Sequence, residues 1–275
     1  MNRESVETGA FWGGYVLLLA FMLLPPILVV ITSFSARSGA FSSLSFPPPG
    51  YSLTFYGEVF NSPSWVNAFK NSVLIALGTM VVSTIMGVTA ALGLELSDDR
   101  RLKLLVPLVL VPLLVPPVVL GITLLVYAGN VGLRSTVNGR YLTVILAHSL
   151  WSTPLVFFIM QAVFSRFDWT LRDAEQDLGA GPFRVFFYVI LPGVKEGILV
   201  AALIAFVVSL QEFIMALFLT GFDTRTIPVL AWSALRQTLS PAVSVVSTLL
   251  IAVSIVIVVV ISLVMNVDWL AKRLS

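Results

Sequence analysis

Long apolar stretches separated by short polar segments dominate the pattern of this chain. The six longest lie at residues 11–33, 72–94, 104–128, 142–164, 197–219 and 243–265. About 20 apolar residues in a helix are needed to cross a bilayer core of about 30 Å. The pattern therefore predicts an all-α membrane protein with six transmembrane helices, arranged as a single domain over residues 1–275.

The polar segments between these runs indicate the orientation. If both termini lie in the cytoplasm, ten of the sixteen Lys and Arg side chains lie there too, in agreement with the positive-inside rule. Segment 165–196 is then cytoplasmic, and segment 34–71, which contains SFPPPGYS, lies outside. Residues 54–70 of the outer segment have apolar positions at helical spacing, which favours either a short surface helix or a plain loop.

The composition narrows the classes of function. Hydrophobic residues make up 58% of the chain and charged residues 11%, and the mean hydropathy is +0.99. The chain has no Cys and one His, which excludes disulfides, thiol chemistry and a histidine-based metal cluster. A net charge of +2 gives no basic surplus for nucleic acid. No GxxxxGK[ST] loop is present, so we expect neither ATP hydrolysis, nor a metal site, nor a cofactor in this chain.

Two features within the apolar runs are candidates for a transport path. Four prolines interrupt the third run, and they predict kinks that either line a cavity or only bend the helix; they are Pro107, Pro112, Pro116 and Pro117. Glu212 is the only formally charged side chain in the six runs, and Ser209 and Gln211 flank it. A carboxylate in hydrocarbon is costly, so Glu212 is either a contact for a cationic solute or a buried structural hydrogen-bond partner. His148 stands alone, and we interpret it as a satisfied packing residue.

Segment 165–196 reads as a charged elbow between two spans. Thr170 to Asp173 resembles a capping box, and a helix over residues 171–178 is expected to end at Gly179. Gly181 and Pro182 predict a second break, after which FRVFFYVIL forms a helix that stops at Pro192. From these residues alone, the elbow is either a solvated loop or a lever for a docked partner.

The stretch DAEQDLGAGPFRVFFYVILP resembles the EAA loop of binding-protein-dependent ABC importer permeases. Its pattern is E-A-A, three residues, G, nine residues, a hydrophobic residue, one residue and L-P. Seven residues occupy the defined positions of this pattern, and five of them match it; the seven are Asp173, Ala174, Glu175, Gly179, Val189, Leu191 and Pro192. Asp173 and Glu175 depart from the first Glu and the second Ala. The resemblance covers residues 11–265 and implies the six-helix fold of a type I importer permease, whose loop, here with Gly181 and Pro182, docks on a cytoplasmic ATPase dimer.

A second resemblance concerns the C-terminal half. SLQEFIMALFLTG, TIPVLAWSALR and SPAVSVVSTLLI are similar to permeases of the polyamine (spermidine and putrescine) group. This implies a path for a polyamine-like or other organic cation at Ser209, Gln211 and Glu212. It further implies a bacterial inner-membrane subunit that works with a second, different permease chain and a periplasmic solute-binding protein. The outer loop with Trp232 and Arg236 either contacts that binding protein or is only anchored at the membrane interface by Trp232. ATP and Mg²⁺ would bind the partner ATPase.

Two other functions compete with an importer subunit. An ion-coupled secondary transporter or channel would use Glu212 as a proton or cation site. A structural subunit would scaffold a complex in the bilayer without a solute path. The secondary transporter or channel predicts transport without ATP and leaves the pattern from Asp173 to Pro192 without a role.

Overall fold

The computed structural model describes residues 3–36, 46–97, 99–237 and 240–274. Within these ranges the regular structure is helical apart from an isolated β-bridge between Ser35 and Tyr51. The helices are α1 (Arg3–Ser33), α2 (Thr54–Asn61), α3 (Pro63–Glu95), α4 (Arg100–Val109), α5 (Val111–Leu114), α6 (Pro117–Asn130), α7 (Val137–Phe164), α8 (Thr170–Asp177), α9 (Pro182–Val185), α10 (Leu191–Gln211), α11 (Ile214–Leu219), α12 (Ile227–Gln237) and α13 (Ala242–Leu274).

Among the described residues, five unbroken helical segments are long and apolar enough to cross a membrane, and a bent pair of segments supplies a sixth span. The unbroken segments are Phe11–Ser33, Pro63–Glu95, Val137–Phe164, Pro182–Gln211 and Ala242–Val264. The predicted all-α fold with six apolar spans is confirmed. The second span begins before the predicted residue 72, and α2 forms within the segment where a short helix was one of two alternatives.

The third span is broken rather than gently kinked. Arg101–Leu114 and Pro117–Asn130 meet at 89°. Val115 is extended, with φ −81° and ψ 129°, as expected for the residue directly before a proline. Pro117 begins α6, where its missing N–H costs no hydrogen bond. The proline pair therefore ends one helix and starts another.

The fifth span differs from the prediction at both ends. The helix starts at Pro182, passes through a π-helical turn at Phe186–Ile190 and ends at Gln211, so the predicted span over residues 197–219 is wrong in its bounds. The predicted stop at Pro192 is also wrong. The N–H of Leu191 bonds to the carbonyl of Phe186, five residues back, and this wide turn accommodates a proline that has no N–H of its own.

The described residues divide into two compact units. The first contains the described residues up to Val66 and those from Leu230 to Ile255. In it Phe55 and Val59 of α2 are fully buried, and Ser33 Oγ lies 2.8 Å from Tyr56 Oη. The single domain predicted over residues 1–275 stays a prediction.

The second unit contains the described residues from Asn67 to Val229 and from Val256 onward, and α7 forms its centre. Buried residues of α7 join those of α3, α9 and α10 in one apolar cluster, and those of α3 and α11 in another. The contact of α7 with α10 is close. A Cβ on Gly197 would lie 2.5 Å from Val163 Cγ2, so a glycine is needed where these helices meet.

Candidate functional site

The segment after α7 is anchored by aromatic side chains. The Trp169 ring lies 4.9 Å from that of Phe167 and 6.1 Å from that of Phe164, measured between centroids. Trp169 Nε1 donates to the carbonyl of Phe164 at 3.2 Å. A Cβ on Gly193, at the start of α10, would lie 2.5 Å from Phe167. These contacts hold the start of α8 close to the ends of two spans.

Asp168, and not the predicted capping box, organises the first turn of α8. Its Oδ1 accepts from the hydroxyl of Thr170 at 2.6 Å and from the backbone N–H of Thr170 at 3.1 Å. The N–H of Asp173 bonds instead to the carbonyl of Trp169. The hydroxyl bond, followed by the backbone bond, lowers the pKa of the exposed Asp168 carboxyl. The predicted capping box of Thr170 with Asp173 is therefore wrong, because the N–H of Asp173 bonds to the carbonyl of Trp169 and the N–H of Thr170 bonds to Asp168.

The end of α8 agrees with the sequence prediction. Gly179 has φ +86°, its N–H bonds to the carbonyl of Gln176, and the N–H of Ala180 bonds to the carbonyl of Glu175. This pair of bonds is a Schellman motif, which requires a left-handed residue at the position of Gly179. Gly181 is extended, with φ −72° and ψ 163°, and Pro182 begins α9. The chain thus turns twice within four residues.

Glu175 and Arg184 connect the two sides of this elbow. Glu175 Oε1 lies 3.4 Å from Arg184 Nε. Asp173 and Ala174 are exposed on α8, and apolar side chains also face outward, Leu178 at 83% and Phe183 at 81% exposure. A groove of about 380 Å³ runs beside the elbow and is lined in part by Arg172, Gln176, Pro182 and Phe183. Leu191 and Pro192 lie apart from this groove lining, in the first turn of α10.

A polar cluster lies at the interruption between α10 and α11. Glu212 is extended, with φ −66° and ψ 128°, and ends α10. Its Oε1 accepts from the N–H of Met215 at 2.8 Å, and its Oε2 accepts from the N–H of Ala216 at 3.0 Å. The carboxylate therefore caps α11 and is only 8% exposed.

His148 joins this cluster from α7. Its Nε2 lies 3.1 Å from Glu212 Oε2, and its Nδ1 lies 2.8 Å from Ser209 Oγ. Sequence reasoning set His148 aside as a packing residue, although it and Glu212 are the two side chains in the apolar runs that can carry charge near neutral pH. The structure brings Ser209, His148 and Glu212 together, while Gln211 is exposed beside them.

At the far end of α11, a polar framework braces the loop over residues 220–226. Asn71 Nδ2 donates to the carbonyls of Asp223 and Arg225 at 3.0 and 2.9 Å, and Asn71 Oδ1 accepts from Tyr141 at 2.5 Å. The loop exposes Phe222. Sequence reasoning missed this framework, since it depends on residues about 150 positions apart.

Trp232 and Arg236 lie on α12, not in the loop that the sequence suggested. Both are exposed, Trp232 at 41%. Their predicted contact with a binding protein stays a prediction. Apolar residues recur at helical spacing in TIPVLAWSALR, and this pattern would have predicted the helix.

Comparisons with known proteins identify the class of this chain. Residues 83–275, more than two thirds of the chain, match the family described as "Binding-protein-dependent transport system inner membrane component". The chain is 30% identical to the putrescine transport system permease protein PotI of Escherichia coli K12, over 89% of this chain and 88% of that protein. It is 26% identical to the spermidine/putrescine permease protein PotC of Haemophilus influenzae, over 87% and 90%.

A solved structure shares the fold at lower identity. A bacterial ABC transporter that imports the acidic polysaccharide alginate contains a chain with a TM-score of 0.65 and 15% identity, covering 100% of this chain and 99% of that one. This similarity extends the agreement in fold to the N-terminal residues that the family match does not include. The chain therefore belongs to the family of binding-protein-dependent transport system inner membrane components, and it is a non-catalytic permease subunit of an ABC importer in the bacterial inner membrane.

Proposed function

We propose that this permease forms the membrane path for a small polyamine-like cation. The partners are a second, different permease chain, a cytoplasmic ATPase dimer that binds ATP and Mg²⁺, and an external solute-binding protein. Both termini lie in the cytoplasm. Ser209, Gln211 and Glu212 contribute to the path, and α8 with the Gly179 turn receives the ATPase.

The observation that carries the choice of solute is the nearly buried carboxylate of Glu212 within the fifth apolar run. A carboxylate has about four lone-pair sites. Two of them accept the N–H groups of Met215 and Ala216, and His148 Nε2 lies 3.1 Å from Oε2. Attraction between this anion and an ammonium group increases as the surrounding dielectric constant falls. The similarity to a putrescine permease supports the same class of solute.

The coupling role rests on the form of the elbow. Apolar Leu178 and Phe183 are exposed beside the charged residues of α8, a mixture suited to a protein interface. The Schellman turn at Gly179, the aromatic anchor at Trp169 and the ion pair of Glu175 with Arg184 all restrict movement of α8 relative to the spans. A rigid helix of this kind can transmit a displacement of the ATPase to α7 and α10.

Uptake by the reconstituted complex tests the proposal. The complex of this chain with the permease and ATPase that copurify with it is placed in proteoliposomes, and the solute-binding protein supplies labelled putrescine. We expect ATP-dependent uptake. Glu212→Gln should lower the maximal rate by about tenfold or more, because an amide cannot replace the charge that attracts the cation.

Glu95→Gln is the matched control, since it removes a carboxylate from the exposed last residue of α3. We expect this variant to transport putrescine at the parental rate. Parental uptake by Glu212→Gln would remove Glu212 from the path. Uptake that continues without ATP would contradict the proposed energy source.

A further inference from the structure

One buried ionisable side chain has no role in the proposed path. His148 of α7 is 1% exposed, and both of its ring nitrogens face polar atoms of the segment that contains Glu212. An imidazole enclosed in an apolar helix bundle is expensive unless both nitrogens find partners. Its surroundings therefore indicate what this side chain does.

The hydrogen-bonding roles around the ring follow from chemistry. The carboxylate of Glu212 only accepts hydrogen bonds, so Nε2 of His148 carries the proton that faces it. The hydroxyl of Ser209 either donates to a neutral Nδ1 or accepts from a protonated one. Ser209 thus sets the ring orientation in either charge state, and it places Nε2 within 3.1 Å of Glu212 Oε2.

The three donors to the Glu212 carboxylate differ in where they are attached. The N–H groups of Met215 and Ala216 belong to the turn of chain that directly follows Glu212. If that turn shifts, both donors shift with the carboxylate. His148 belongs to a different helix. Of these three groups, it is the one whose position is set by the core of the second unit and not by the turn that follows Glu212.

The position of His148 is itself reinforced. Ser152 Oγ donates to the carbonyl of His148 at 2.8 Å and lies 2.7 Å from Ser83 Oγ. All of Ser83, His148 and Ser152 are buried. A series of polar contacts therefore runs from α3 through α7 to the interruption between α10 and α11.

We infer that His148 is a positioning residue for Glu212. Oriented by Ser209, it holds the carboxylate at a fixed point on the path while the rest of the α10–α11 junction is free to adjust. This inference rests on the proposed function, in which Glu212 meets the cation. It adds a residue and a role that the resemblance to other permeases did not supply.

Two amide substitutions separate the roles of the two ring nitrogens. In His148→Gln the amide nitrogen can reach the place of Nε2, whereas in His148→Asn it reaches only the place of Nδ1. The measured quantity is the amount of putrescine moved per ATP hydrolysed in proteoliposomes that contain the whole complex. We expect His148→Gln to retain most of this ratio. In His148→Asn and His148→Ala the amount of putrescine moved per ATP should fall by about tenfold, which is the effect of losing one hydrogen bond to a charged group.

Controls distinguish positioning from folding. A general loss of structure lowers ATP hydrolysis and uptake together, so it leaves their ratio unchanged. Ser209→Ala should lower the ratio because it releases the ring. Ser149→Ala should not, since Ser149 Oγ donates within its own helix to the carbonyl of Ile145.

The outcomes test the inference and the proposed function separately. Equal ratios for His148→Gln and His148→Asn, with Glu212→Gln impaired, overturn the positioning role and leave the path intact. Parental uptake by Glu212→Gln overturns both. If the His148→Gln complex does not assemble, the inference is also wrong, because this variant retains the donor that it requires.

Discussion

The carboxylate of Glu212 compensates for an interruption of the helix within the fifth apolar run. The first backbone N–H groups of a helix have no partner in a preceding turn, and an unsatisfied group in hydrocarbon costs several kcal/mol. At the start of α11 the two oxygens of Glu212 accept two of these N–H groups. The same side chain thereby caps α11 and, in the proposed function, contacts the cationic solute. Substitutions can separate the two effects.

Replacing Glu212 by Gln and by Ala should affect stability differently. Gln keeps an acceptor oxygen for the start of α11, whereas Ala leaves the N–H groups of Met215 and Ala216 and the ring of His148 without an acceptor. We expect Glu212→Ala to be less stable than Glu212→Gln by about 1–3 kcal/mol. Thermal unfolding of the detergent-solubilised complex measures the difference. Equal midpoints would show that the capping bonds contribute little.

Among the elements, the turn after α8 depends on one backbone conformation. Gly179 has φ +86°, and no side chain lies within 4 Å of the position of its Cβ. A substitution there meets backbone strain and not a steric clash. We expect Gly179→Ala to cost about 1–2 kcal/mol in the native elbow and to lower putrescine uptake per ATP. Gly179→Asn should retain more putrescine uptake per ATP than Gly179→Ala, since Asn tolerates the left-handed region better than Ala.

Gly181 provides the comparison for this series. It also has open space around its Cβ position, but its φ of −72° suits any residue. Gly181→Ala should therefore lower putrescine uptake per ATP by less than Gly179→Ala does. If Gly181→Ala and Gly179→Ala lower uptake equally, flexibility of the segment matters and the left-handed turn does not.

The contact between α7 and α10 predicts a steric effect instead. A Cβ at Gly197 would lie within 3.2 Å of three atoms of Val163, including its Cβ, so rotation of the Val163 side chain cannot remove the overlap. Overpacking of this kind costs about 1–3 kcal/mol. We expect Gly197→Ala to lower the unfolding midpoint, while Gly93→Ala, with open space on α3, should not. An unchanged midpoint in Gly197→Ala would show that the helices separate easily.

These elements also show which features can be predicted from sequence. The left-handed turn at Gly179 was predictable, since helix, glycine and proline are neighbours in the chain. The passage of the helix through Pro192 was not, because it depends on a π turn that begins six residues earlier. The interruption at Glu212 was also not predictable. The run has polar residues there, Ser209 and Gln211 beside Glu212, but no glycine or proline near residue 212 to mark a break, and His148, which lies 3.1 Å from the capping carboxylate, is distant in sequence.

At the scale of the whole molecule, the second unit has two chemically different ends. The charged elbow of α8 precedes α10, and the braced loop with Phe222 follows α11. The 21 residues of α10 rise about 30 Å, close to the thickness of a bilayer core. The two residues therefore lie beyond opposite ends of this span, and the proposed orientation with cytoplasmic termini predicts Leu178 on the cytoplasmic side and Phe222 on the outer side.

A chain without cysteine allows this orientation to be measured directly. Leu178 and Phe222 are almost equally exposed, at 83% and 82%, so Leu178→Cys and Phe222→Cys form a matched pair. We expect a membrane-impermeant maleimide to label Phe222→Cys in intact cells and Leu178→Cys only after the membrane is opened. The reverse result would invert the topology and remove α8 from the side that holds the ATPase.

The same pair of variants tests whether the whole complex covers the elbow. In detergent, where both sides of the membrane are accessible, the maleimide should react with Leu178→Cys in the isolated permease chains. Reaction should slow by about tenfold or more in the complex with the ATPase, because a residue at the centre of an interface is excluded from solvent. Phe222→Cys should react equally in both samples, since no ATPase reaches that end. Slower reaction at both positions would indicate a conformational change of the whole permease and not docking at α8. Unchanged reaction at both positions would place the ATPase contact away from α8.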